Sequence, residues 1–132
     1  MKPLRSAGRA LLAVPFVRGG WQTLAHPESR AELAAPTLDR IRQAAPWLPD
    51  DQVLLVRANA AAQLAAGLAL ATGRAPRLAA TVLAASLVPT TVAGHAFWKM
   101  DDPAQRSQHL THVGKNLAML GGLLLAAAGT RD

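Results

Sequence analysis

The sequence has no cysteine and no tyrosine, and only two phenylalanines and three tryptophans among its 132 residues. Without cysteine there can be no disulfide framework, no thiolate-held zinc or iron–sulfur cluster and no thiol nucleophile. The compartment stays open, because a cysteine-free chain tolerates any redox environment. Strand signals are missing too, since valines are few and nothing alternates between apolar and polar over six residues. Acids are scarce: 8 Asp and Glu face 14 Lys and Arg, giving a net charge of +6. Total charge is also low, 17% of residues, which argues against a disordered basic tail. A length of this order suits one domain. Two classes survive, a basic soluble helical domain and a small alanine-rich membrane bundle. The mean hydropathy of +0.16 does not separate them, because alanine and arginine pull it to the middle.

The placement of charge separates them. Between Arg9 and Glu28 the only charged residue is Arg18, and between Asp51 and Arg74 only Arg57. None occurs between Arg77 and Lys99, and only Lys115 between Arg106 and Arg131. Each window is close to the roughly 20 apolar residues that a spanning helix needs. A helix in a soluble bundle shows polar residues on one face at every turn, whereas residues 78–98 carry only Thr81, Ser86, Thr90, Thr91 and His95 as polar residues. The sequence therefore predicts an all-α, four-helix integral membrane bundle as one domain over residues 1–132. The expected spans are 4–24, 52–73, 77–98 and 106–129, with short loops and one longer external linker.

The punctuation fits that division. Pro15 is expected to kink the first helix. Asp50 and Asp51 stand where the dipole of the second helix favours anions, and Gly73 where a C-terminal cap belongs. Asp101, Asp102 and Pro103 open the fourth helix and Gly129 closes it. The linker, residues 26–51, carries four prolines and eight charges, with a short interfacial helix expected over residues 37–45. Trp21, Trp47 and Trp98 all fall near span ends on one side, where tryptophan prefers to sit. The density of Lys and Arg near span ends predicts cytoplasmic termini. Lys2, Arg5 and Arg9 are not read as the head of a cleaved signal, because Arg18 breaks the apolar run and no small-x-small site precedes Glu28.

Polar residues inside the spans are the candidates for function. Arg18 and Arg57 are expected to snorkel or to pair with loop carboxylates such as Asp50, the sharper reading being a cationic lining for an anion or quinone. Asn59 and Gln63 share a helix face, continued by Gly67, and read first as interhelical hydrogen-bonding glue. Ala62, Ala66, Gly67 and Ala71, with Gly121 and Gly122, allow close helix approach. His95 ends the third span and is followed by Phe97 and Trp98, while His109 and His112 are i, i+3 neighbours on the next helix. A metal or haem site built from these histidines with Asp101 or Asp102 has no ligand motif behind it. A proton-handling role for His95 beside a quinone head group is preferred. Nucleic-acid binding is not expected, because the cations are spread among span ends rather than clustered on a face.

The run Pro89-Thr90-Thr91-Val92-Ala93-Gly94-His95-Ala96-Phe97-Trp98, with Lys115-Asn116-Leu117-Ala118-Met119-Leu120-Gly121-Gly122, resembles the DoxX family of bacterial membrane proteins. Arg57-Ala58-Asn59-Ala60-Ala61-Ala62-Gln63 and Gly73-Arg74-Ala75-Pro76-Arg77 are similar as well, and the likeness runs over residues 9–128. It implies a four-helix bundle in the bacterial cytoplasmic membrane with cytoplasmic termini. It also implies an accessory or quinone-interacting subunit of an oxidoreductase complex in sulfur, thiol or oxidative-stress metabolism. A non-catalytic scaffold or assembly factor is the alternative, and a small-anion transporter a weaker one. The residues that match the family motifs are His95, Phe97, Trp98, Lys115 and Asn116. Two departures stand out: Gln63 occupies a position that is acidic in many relatives, and the tail after Ala128 is short. Lacking cysteine, the chain is expected to pass electrons only through something it binds, a quinone or a partner subunit.

Overall fold

Helix-favouring composition, with prolines and glycines at the joints, produces an all-helical chain. The computed structural model describes residues 2–129, and they form α1 (Lys2–Ala25), α2 (Glu28–Ala44), α3 (Gln52–Thr72), α4 (Pro76–Gly94) and α5 (Pro103–Ala128). A single 3-10 turn, Phe97–Lys99, lies between α4 and α5. No strand occurs among the described residues. The caps follow the sequence. Asp51 accepts a hydrogen bond from the Leu54 amide at 3.0 Å, and Asp102 accepts from the amides of Ala104 and Gln105. Gly73 ends α3 with φ +73°, and the Arg74 amide donates back to the Ala69 carbonyl at 2.8 Å.

α3, α4 with the turn after it, and α5 are long and apolar enough to cross a membrane. The 21 residues of α3 make a rod of about 30 Å, the thickness of a hydrocarbon core. α1 is as long but is not among these three, because Arg9 and Arg18 dilute an already modest apolar content. The expected bundle of four spans thus reduces to three helices that qualify by length and hydropathy. α1 runs as one helix through Pro15.

The linker differs more. A short helix over residues 37–45 was expected, but α2 begins nine residues earlier and continues through Pro36. A proline inside a helix removes one backbone bond. Here, packing outweighs that loss: α2 lies against both α3 and α4, with Ala31 buried and Ala34, Thr37 and Leu38 half-buried. Arg42 fixes the end of α2 by donating to the carbonyls of Pro49 and Asp50 at 3.0 and 2.8 Å and pairing with Asp39 at 2.8 Å.

The core is built from small residues and a few leucines. α1 packs mainly on α3, α3 on α4, and α4 on α5. Buried Ala13 and Phe16 of α1 meet Ala66 and Leu70 of α3, Ala80, Leu83 and Leu87 of α4, and Leu123 of α5. In lipid, helices gain no hydrophobic advantage from touching each other, so close backbone approach carries the association. Gly20 shows how close: a Cβ there would lie 2.8 Å from the Ala60 carbonyl oxygen and 3.0 Å from the Leu64 nitrogen. Gly67 likewise faces Val17, where a Cβ would sit 2.9 Å from a methyl group.

Basic side chains mark one end. The Arg9 guanidinium lies over Gly73 at the close of α3, and the Arg77 guanidinium over Gly129 at the close of α5. Cations at helix C-termini meet the negative end of the dipole. The start of α1, the α3–α4 turn and the end of α5 therefore share one end, as the charge pattern predicted. Arg131 lies outside the described residues.

Candidate functional site

α3 and α4 present a polar ladder to one another. Gln63 Nε2 donates to Ser86 Oγ at 2.8 Å and to Thr90 Oγ1 at 3.3 Å. Ser86 Oγ in turn donates to Asn59 Oδ1 at 2.6 Å, and Thr90 Oγ1 donates to the Ser86 carbonyl at 2.7 Å. The i, i+4 spacing of Asn59 and Gln63 on α3 matches that of Ser86 and Thr90 on α4, so both pairs meet across the interface. Gly67 does not continue this stripe. Two such steps rotate the face by about 80°, which turns Gly67 toward Val17 of α1. Polar bonds between membrane helices are modest, averaging about 0.6 kcal/mol and reaching about 1.7. A double-mutant cycle with Gln63→Leu and Ser86→Ala is expected to return a coupling within that range by unfolding in detergent. Zero coupling would show that the ladder is not formed.

Beneath α2 this ladder opens into a cavity of about 280 Å³. Its walls are Leu33, Leu38 and Ile41 of α2, Leu55 and Val56 of α3, and Pro89 of α4. Polar atoms enter from Asn59, Gln63 and Thr90, and Arg30 of α2 also lines it. Gln63 is itself buried, and its Oε1 takes no hydrogen bond from the described residues. An acceptor held in place at an apolar cavity suits a ligand with one hydroxyl end and a hydrocarbon remainder, and the Arg30 guanidinium and Asn59 amide supply donors for a carbonyl.

The histidines form a separate cluster at the same end of the molecule. His95 Nδ1 lies 3.2 Å from His109 Nδ1, and the His95 and His112 rings stack at 4.8 Å with planes 7° apart. At that Nδ1–Nδ1 distance one ring donates and the other accepts, so the pair holds a single proton between them. No group of three or more His, Asp or Glu suited to a metal occurs among the described residues. His95 is next to Gly94, which lines the cavity, but His95 itself does not.

The remaining sequence candidates divide. Asn116 Nδ2 donates to Thr91 Oγ1 at 2.9 Å, tying α5 to α4. Trp98 stands edge-on to Phe97 and lines a second groove beside α2. Arg18, Arg57 and Lys115 are exposed and do not line the cavity. Asp50, expected as a partner for Arg57, lies 3.9 Å from Arg42 instead. Arg30 and the α2 residues that roof the cavity were missed. Their only signal in the sequence was the spacing of Leu33, Thr37, Leu38 and Ile41 in a segment read mostly as linker.

Residues 4–96 match the model of the DoxX family. The chain belongs to the DoxX family. The match spans well over half of its length, from α1 through α4 and the residue after His95. The Lys115–Asn116 motif of α5 lies beyond it. No curated protein and no solved structure matches the chain. With three helices apolar and long enough to cross a bilayer, this DoxX protein is a membrane protein in contact with lipid.

Proposed function

We propose that this DoxX protein is an accessory, quinone-interacting subunit of an oxidoreductase complex in the bacterial cytoplasmic membrane. The observation that carries the reading is the cavity beneath α2, apolar on its walls and polar at Asn59, Gln63 and Thr90. A quinone supplies carriage of two electrons and two protons between partners in the membrane. The chain's own residues do the holding. Gln63 Oε1 accepts from a ring hydroxyl, and Arg30 or the Asn59 amide donates to a ring oxygen. Leu33, Leu38, Leu55 and Val56 line the path of the tail. The His95–His109 pair, close to the cavity's end, accepts and returns one proton.

In this reading α1 is the fourth crossing. Its Arg9 sits at the end marked by Gly73, and Arg18 is seven residues from the opposite end, within reach of a headgroup by snorkelling. The termini are cytoplasmic, following the density of cations at their end. Protein purified in mild detergent is expected to retain extractable quinone at about one per chain. Extracts free of quinone, from membranes rich in it, would contradict the reading.

A scaffold role is the second reading, favoured by α5. Only 6% of its apolar window is buried within the chain, and Leu110, Leu117 and Leu124, seven residues apart, point outward. Co-purifying subunits that survive loss of quinone binding favour that role.

A further inference from the structure

A second hollow adjoins the first, a groove of about 440 Å³ between α2 and the turn that follows α4. Its floor is apolar, with Leu33, Val92 and Met100, and its rim carries Arg40, Lys99, His109 and Trp98. Arg40 and Lys99 are exposed, and neither side chain has a salt bridge or hydrogen bond among the described residues. The groove contains one carboxylate, Glu32, so permanent positive charge exceeds negative. Its depth in the membrane follows from the chain. α4 ends at Gly94, the apolar stretch ends at Lys99, and Trp98 is half exposed. That is the headgroup level, where tryptophan and snorkelling cations settle.

We propose that this groove seats the headgroup of an anionic phospholipid. The phosphodiester lies between Arg40 and Lys99, with the indole of Trp98 beside the glycerol backbone. The first acyl methylenes rest on Leu33, Val92 and Met100. Glu32 narrows the choice: a headgroup with hydroxyl donors satisfies the carboxylate, so phosphatidylglycerol fits better than a bare phosphate ester. Basic pockets between membrane helices recognise acidic lipids through this combination of fixed charge and apolar floor. The seat adjoins the cavity beneath α2 and shares Leu33, Thr37, Ala93 and Gly94 with it, but Arg40, Trp98 and Lys99 do not line that cavity, and the seat does not depend on a quinone occupying it.

Native mass spectrometry of the full chain in mild detergent, titrated with phosphatidylglycerol or phosphatidylcholine of matched acyl chains, tests this. Preferential retention of phosphatidylglycerol is expected. The double variant Arg40→Gln/Lys99→Gln is expected to weaken it about 25-fold, at about fivefold per cation. Lys2→Gln/Arg74→Gln, at the opposite end, is expected to leave it unchanged, and circular dichroism checks that both variants remain helical. Equal retention of the two lipids, or an equal loss in both variants, would overturn the proposal. So would displacement of the lipid by millimolar inorganic phosphate, which would mark a site for soluble anions.

Discussion

Replacing Gly20 with leucine is expected to force α1 away from α3 and to destabilise the fold by roughly 3 kcal/mol. The reason lies in what a side chain there would strike. A Cβ on Gly20 meets the Ala60 carbonyl and the Leu64 nitrogen, both backbone atoms of α3. A flexible side chain can swing aside, but a helix backbone cannot without moving the helix. The neighbouring position provides the control: a Cβ on Gly19 meets nothing within 4 Å. Thermal unfolding in detergent should therefore show a marked drop in Tm for Gly20→Leu and little change for Gly19→Leu. Equal effects would mean that α1 and α3 are not in this register.

Ala34→Trp is expected to abolish quinone binding while the helices stay in place. Ala34 is half-buried on α2 and lines the cavity opposite the polar ladder. An indole entering there takes up much of about 280 Å³ and blocks approach to Gln63. Retained quinone should fall at least tenfold relative to unaltered protein, with unchanged helicity by circular dichroism. Full retention would place the quinone elsewhere.

The helices were legible because charge and proline punctuate the chain sharply. Asp51, Gly73, Asp102 and Gly129 each cap a helix as their residue types imply. The ladder was half legible: spacing put Asn59 and Gln63 on one face, but nothing in α3 alone names Ser86 and Thr90 as partners. That pairing depends on the register of two helices, which small residues set by how closely they allow backbones to approach. α2 was the least legible. Pro36 and the density of charge argue locally against a long helix, and the local argument loses to burial of Ala31, Ala34 and Leu38 against α3 and α4. The cavity was invisible for the same reason, since its roof is α2. His95, His109 and His112 could be seen as one group near a turn, but the contact between His95 and His109 required the path of the Phe97–Lys99 turn.

The central claim is that a quinone head lies between α2 and the Asn59–Gln63 ladder. Photolabelling tests it most directly: a quinone with a photoreactive ring substituent is bound to the purified protein, irradiated, and the adducts are mapped by mass spectrometry. Labels within residues 30–41 and 55–63, removed by Ala34→Trp, are the predicted result. Labels confined to the outward face of α5, and indifferent to Ala34→Trp, would contradict the account.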